Sequence, residues 1–277
     1  MSYEKFSASA QCRKDRVPPA LFFAEQASER VAPSPIFKCP GFKLDWVCID
    51  VLHCCDLGVS QKIIGNILYE AQQNICIGST IKARTDDLFG KLKQYYRAAQ
   101  PTSRLDQLTP DMIKLTGKGP KLRSKAAECR NLVPFAFQMA IELQDARPSE
   151  HNKTLVRMSS CLLTYYQMLD NADFPQAEVA KSCRECCILY KSLRDEARHN
   201  HGEDTKLWSL SPKFHLWIES SEYQTQDLGS PRYYWCYKDE DFVGWAATLA
   251  ASKGGANSCA HSALRLVQKY TAWVSAH

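Results

Sequence analysis

Between residues 84 and about 200, apolar side chains recur at intervals of three and four residues. This spacing places them on one face of an α-helix. Three long helices are predicted, over residues 122–143 with a bend at Pro134, 149–170 and 175–199. Because amphipathic helices bury their apolar faces against one another, this part of the chain predicts a helical bundle or a helical insertion.

The rest of the chain divides around this helical stretch. Residues 1–40 are rich in proline and are expected to be irregular. Residues 41–83 predict a buried strand over 42–50 and a helix over 57–73. The helical insertion covers residues 84–205. Residues 206–277 form the last part, with a helix that carries Glu240 and a terminal helix over 260–274.

Composition narrows the class of protein. The 277 residues are 45% hydrophobic and 23% charged, which predicts a globular core. No apolar run reaches the length of a membrane span, and the first ten residues lack an export signal, so a nuclear or cytoplasmic location is expected. The thirteen cysteines are then expected to be reduced. The net charge of +5 permits nucleic-acid binding without requiring it.

The pattern Asp50-x-x-His53 follows an apolar run and precedes a helical pattern. The end of a strand that leads into a helix is where α/β folds display catalytic carboxylates. The alternative is that Asp50 caps a helix and His53 is a partly buried side chain. Asp56 is interpreted as a helix N-cap.

A basic segment follows the loop at residues 117–120 and contains Lys118, Lys121, Arg123, Lys125 and Arg130. Lysine and arginine side chains of this kind contact phosphates in nucleic-acid complexes. These residues are therefore candidates for nucleic-acid binding. The alternative is a solvated basic face of a helix.

Two further clusters carry metal-ligating residue types. Glu240 lies between Asp239 and Asp241, and it either points inward to hold a metal with Asp50 or is solvated like its neighbours. The second cluster is Cys183, Cys186 and Cys187 with His199 downstream. It is either part of a zinc-dependent module or a set of packing residues on one helix.

No glycine-rich phosphate loop, dinucleotide-binding fingerprint or serine nucleophile elbow occurs in the sequence. Three blocks in order, however, resemble CACTA-type and Plavaka-like DNA transposases, and a transposase-derived family of dinoflagellate-like protists. The blocks are Asp50-x-x-His53 with Leu57-Gly58-Val59, the basic residues 121–125 followed by Leu132-Val133-Pro134, and Lys213-Phe214-His215-Leu216 followed by residues 229–242.

The resemblance implies an α-rich α/β fold: a partial RNase H-like core interrupted by a large, mostly helical insertion. In such a core two aspartates and a glutamate bind two Mg²⁺ or Mn²⁺ ions that cleave and join DNA strands. Carried over, Asp50 is the second aspartate, His53 lies beside the site and Glu240 is the last acid. Asp50 and Glu240 are then metal ligands, and DNA is the partner.

The chain departs from this pattern at two places. The first aspartate of the site has no convincing position, since Asp15 and Asp45 are the only aspartates before Asp50. Asp241 also stands where the family has arginine. The expectation is therefore the C-terminal part of a transposase: a transposase-derived nucleic-acid-binding protein that is catalytically incomplete, with a homo-oligomer as one option for its assembly. The alternative is a non-catalytic helical interaction or scaffold protein.

Overall fold

The computed structural model describes residues 6, 39–43, 47–251, 267, 268 and 271. All the regular secondary structure of these residues is helical. No strand occurs in these ranges, so the predicted α/β RNase H-like core is wrong. The chain forms two compact units, Met1–Tyr234 and Trp235–His277. Most of the N-terminal segment 1–40 and of the predicted terminal helix at 260–274 falls outside the described residues.

Among the described residues, twelve short and long helical elements belong to the first unit and one helix to the second. A π-helical segment, Leu52–Ser60, runs directly into α1. The α-helices are α1 (Gln61–Asn74), α2 (Ile81–Ala99), α3 (Pro110–Ile113), α4 (Ala126–Asn131), α5 (Val133–Ala146), α6 (Glu150–Leu169), α7 (Gln176–His201), α8 (Pro212–Glu219), α9 (Thr225–Leu228) and, in the second unit, α10 (Tyr237–Ala251). A second π-helical segment, Ser220–Gln224, joins α8 to α9, and a 3₁₀ turn spans Pro231–Tyr233.

The strand predicted over residues 42–50 is replaced by irregular backbone at residues 47–50. Here the side-chain amide of Gln224 makes the hydrogen bonds that the backbone of a neighbouring strand would make. Ile49 N–H donates to Gln224 Oε1 at 2.7 Å, and Gln224 Nε2 donates to the Ile49 carbonyl at 3.1 Å. The apolar run is real, but a short run of this kind does not distinguish a strand from other buried backbone.

Two of the three predicted long helices, α6 and α7, are confirmed with small changes at their ends. Ser149 Oγ accepts from Asn152 N–H at 3.1 Å and caps α6. The single helix predicted over residues 122–143 is instead two helices, α4 and α5. Residues 122–125 before α4 are not helical. The break falls beside Pro134, which has no backbone N–H and is tolerated only in the first turn of α5.

The helix α1 is buried on most of its surface. Ile63, Ile64, Ile67 and Leu68 are fully buried, and the helix packs against α2, α3, α5 and the first π-helical segment. Asn66, also buried, accepts the backbone N–H of Trp208 at 3.0 Å. Helix α1 is therefore the centre of the first unit, and its polar groups connect it to chain segments far away in the sequence.

The cysteine cluster of α7 belongs to the core. Cys183, Cys186 and Cys187 are completely buried, and the thiols of Cys186 and Cys187 face the carbonyls of Met158 and Phe214. Burial raises the pKa of both thiols well above the usual range, which keeps them protonated. His199 is exposed near the end of α7. These side chains pack the core and do not converge with His199 as a zinc site would require.

A histidine joins three helices of the first unit. His151, in the first turn of α6, makes hydrogen bonds to Glu70 of α1 at 2.8 Å and to Glu196 of α7 at 2.9 Å. Glu70 also accepts from the indole N–H of Trp208 at 3.0 Å. Burial opposes protonation of His151, but the two carboxylates outweigh it and raise its pKa to about 9.

Stability should therefore fall as the pH rises through this pKa. The folded pKa of His151 exceeds the ordinary value of 6.5, so its contribution is complete below pH 6.5 and is lost towards pH 9. We expect H151Q to remove about 2 kcal/mol of this pH dependence, measured by urea unfolding at pH 6.5 and 9. H199Q, an exposed change on α7, is the control; an unchanged pH profile in H151Q would contradict the interpretation.

Candidate functional site

Asp50 acts as a helix cap in the structure. Its carboxylate accepts from the backbone N–H groups of Leu52 at 3.3 Å and His53 at 2.9 Å, and from His53 Nδ1 at 2.6 Å. The side chain of Asp50 is 14% exposed and that of His53 is 52% exposed. The interpretation of Asp50 as a cap is thus confirmed, whereas its predicted position at the end of a strand is wrong.

The side chains around Asp50 determine whether it can belong to a two-metal site. A two-metal site needs several converging carboxylates. Among the described residues of the first unit, no third ligating side chain of aspartate, glutamate, histidine or cysteine shares one ion position with Asp50 and His53. Asp50 and His53 therefore do not fit this metal site by themselves, and the predicted Mg²⁺ or Mn²⁺ stays a prediction.

Glu240 lies in the first turn of α10, in the second unit, and is exposed there with Asp239 and Asp241. Three acids at a helix N-terminus interact favourably with the helix dipole. Their exposure agrees with the interpretation that Glu240 is solvated like Asp239 and Asp241. The pairing of Glu240 with Asp50 stays a prediction.

The sequence predicted that Asp56 is a helix N-cap, and this prediction is wrong. Asp56 is 1% exposed in the middle of the first π-helical segment, and the phenol of Tyr166 donates to its carboxylate. The same phenol lies 2.9 Å from Ser60 Oγ. A buried carboxylate needs such donors, since an isolated buried charge is strongly unfavourable. Asp56 therefore ties the π-helical segment to α6.

The predicted basic segment forms one wall of a pocket of about 500 Å³. Three of its cationic side chains, Lys118, Lys121 and Arg123, line this basic pocket together. The other lining residues are Gln61, Leu115, Gly119, Leu122 and Ser124. The sequence thus located these three cations, although it assigned residues 122–125 to a helix.

The wall is an extended piece of chain held on both sides. Lys121 N–H and Arg123 N–H donate to the carbonyls of Ile113 at 2.9 Å and Met112 at 2.8 Å. Leu122 N–H donates to the Gln61 carbonyl at 2.8 Å. Leu122 is buried while Lys121 and Arg123 are exposed, as expected when side chains alternate along extended backbone. Both cations therefore face the same way from a fixed backbone.

Helix α1 allows this close approach through a glycine. A Cβ atom at Gly65 would lie 2.5 Å from Leu122 N and 2.6 Å from Lys121 Cα, well inside the normal contact distance. Gln61, one turn earlier, adds a hydrogen bond from its Nε2 to the Ser124 carbonyl at 2.8 Å. The position of the basic wall is thus set by two residues of α1.

Further lysines add positive charge close to the pocket. Lys62 Nζ donates to the carbonyl of Ser209 at 2.7 Å, and Lys213 Nζ donates to the carbonyl of His53 at 2.6 Å. Burial and the nearby charge of Lys121 lower the pKa of Lys62 to about 8. Partial burial, together with the charges of Lys213 and Arg123, lowers the pKa of Lys121. These cations therefore repel one another.

Carboxylates do not balance this charge in the described part of the chain. No ion pair between described residues includes Lys118, Lys121 or Arg123. The carbonyls that accept from Lys62 and Lys213 satisfy hydrogen bonds but carry no net charge. An uncompensated group of cations around a cavity is suited to a bound anion.

The other two predicted basic residues have different surroundings. Lys125 is exposed at the start of α4, where its backbone N–H donates to Glu128 Oε2 at 2.8 Å. The guanidinium of Arg130 lies 3.2 Å from Asp170 and 5.4 Å from the ring centre of Tyr166. Neither residue lines the basic pocket. Lys62 and Lys213, conversely, were missed, because only folding brings them close to Lys121.

Comparisons with protein-family models, curated proteins and solved structures found no match, and the resemblance to transposases stays a prediction. None of the helices in the described part of the chain is both long enough and apolar enough to span a membrane.

The capping role of Asp50 predicts a defined loss of stability. We expect D50A to lower the free energy of unfolding by about 1 kcal/mol, because two backbone N–H groups lose their acceptor. Asparagine caps helices as well as aspartate does, so D50N should be close to wild type. The measurement is urea unfolding at neutral pH. Equal losses in D50A and D50N would show that charge, not capping, is the contribution of Asp50.

The close approach at Gly65 predicts a second loss. G65A should destabilise the protein by about 1–3 kcal/mol, because the added methyl group meets backbone atoms that cannot rotate away. The control is G90A in α2, where a Cβ meets nothing within 4 Å and alanine is the better helix former. Its stability should equal or exceed that of wild type. A G65A protein as stable as G90A would contradict the described contact.

Proposed function

We propose that this chain binds the phosphate backbone of nucleic acid, with DNA as the expected partner, at the basic pocket. The observation that carries the proposal is the set of cations around the pocket without an acidic partner among the described residues. Lysine and arginine contacts to phosphates supply most of the affinity of sequence-independent nucleic-acid binding. The proposal includes the nuclear or cytoplasmic location expected from the sequence.

The backbone geometry supports this function. Lys121 and Arg123 project from chain whose N–H groups are already bonded to α3 and α1. Binding therefore requires little ordering of the backbone, which would otherwise reduce the affinity. Arg123 supplies a planar fork that suits two phosphate oxygens, while Lys118 and Lys121 supply compact charges.

The proposal concerns binding and does not include strand cleavage. The RNase H-like core that would hold two catalytic metals is not the fold of the described residues. Contacts to phosphates position a nucleic acid without reading its sequence. Binding is therefore expected to depend strongly on salt and weakly on base sequence.

The test is fluorescence anisotropy with labelled single-stranded and duplex DNA of unrelated sequences, at several salt concentrations. We expect the double variant K121Q/R123Q to bind at least about tenfold more weakly and to lower the salt slope by about 2. The matched control is K82Q/K153Q, which removes two exposed lysines of α2 and α6 and has the same net charge.

The outcomes separate pocket binding from general attraction. If both double variants lose affinity equally, net charge and not the basic pocket binds the nucleic acid. If wild-type protein shows no salt-dependent binding to any of the oligonucleotides, the proposed function is wrong. The favoured function would then be the alternative given in the sequence analysis, a non-catalytic interaction or scaffold protein.

A further inference from the structure

The charge balance of the basic pocket indicates more than one bound negative charge. Lys118, Lys121 and Arg123 line it, and Lys62 and Lys213 are near enough to affect the charge of Lys121 or to be affected by it. One internal phosphodiester carries a single negative charge and would leave most of this positive charge unbalanced. A ligand group with two or three negative charges matches the pocket better.

The size and lining of the pocket also favour a phosphate group as the ligand. It is a half-open pocket of about 500 Å³, a volume within the range of small-ligand sites. The described side chains that line it are cationic, amide, hydroxyl and leucine, and none of them is aromatic. Proteins that hold single-stranded bases generally stack them on aromatic rings. The described lining therefore offers contacts for a phosphate group and none for stacking a base.

We propose that the basic pocket holds the terminal phosphomonoester of a nucleic-acid strand, together with the phosphodiester next to it. This inference rests on the proposed function and names the part of the nucleic acid that the pocket binds. A phosphomonoester carries a charge of about −1.5 to −2 at neutral pH and offers three acceptor oxygens. With the adjacent phosphodiester, it balances the three cations that line the pocket.

The positive charge of Lys62 adds to this preference for a dianion. Lys62 lies on α1 next to Gln61, and its ammonium is held by the carbonyl and hydroxyl of Ser209. Burial, and to a smaller degree the charge of Lys121, lowers the pKa of Lys62 to about 8. A phosphomonoester close to Lys121 would offset the second of these two effects.

The experiment compares one labelled single strand with a 5′-phosphate, a 3′-phosphate or hydroxyls at both ends. We expect one of the phosphorylated strands to bind about tenfold more tightly than the hydroxyl strand, as one additional charge-assisted contact would give. K121Q/R123Q should lose this preference, and K82Q/K153Q should keep it. The preference should also diminish below about pH 6, where the dianionic phosphomonoester takes up one proton and becomes a monoanion.

Competition distinguishes a strand end from a free phosphate. Inorganic phosphate, pyrophosphate and a nucleoside monophosphate should compete only at much higher concentrations than the phosphorylated strand, since each lacks the remainder of the backbone. Equal competition by any of them would overturn the assignment to a strand end.

Failure of this inference differs from failure of the proposed function. If all three strands bind equally and K121Q/R123Q weakens each one, the pocket binds internal phosphates and the inference is wrong while the function stands. If none of the single strands binds but duplex DNA does, only the inference is wrong. If no single-stranded or duplex oligonucleotide binds, both are wrong.

Discussion

The burial of α1 on almost every side is the constraint on which the first unit depends. Its isoleucine and leucine side chains fill the centre of the core, and α2, α3, α5 and the first π-helical segment pack around it. Because α1 is enclosed, its polar groups must find partners within the protein. Asn66 does so with Trp208, and Gln72 donates to the buried hydroxyl of Thr85 in α2 at 2.6 Å. These bonds fix how the surrounding segments cross α1.

The basic pocket follows from the same helix. At Gly65 the absence of a side chain lets extended backbone lie directly on α1, and Gln61 binds that backbone at two points. Lys121 and Arg123 are exposed because the buried Leu122 between them is anchored. Rigid backbone and exposed cations are thus two results of one packing arrangement, which is why phosphate binding is the function that the structure supports best.

The two polar sites beside α1 differ in charge balance. Asp50 and Asp56 are acids whose oxygens accept hydrogen bonds from backbone, histidine or tyrosine groups, and both hold the first π-helical segment in place. The cations of the basic pocket have no such acid among the described residues. Lys213 connects the two regions, because it donates to the carbonyl of His53 and also contributes to the charge around Lys121. Fold stability thus accounts for the contacts of the acids, and the proposed anionic ligand would account for the cations.

The sequence by itself determined the long helices and the group Lys118, Lys121 and Arg123, because apolar periodicity and clustered charge are local properties. It did not determine the backbone of residues 47–50, where an amide of Gln224 replaces the partner strand that a short apolar run predicts. Nor did it show that Asp56 is buried, since that depends on Tyr166 of another helix. Only the tertiary structure brought Lys62 and Lys213 close to Lys121, because residues distant in the sequence come together only when α1 and α8 pack into the same core.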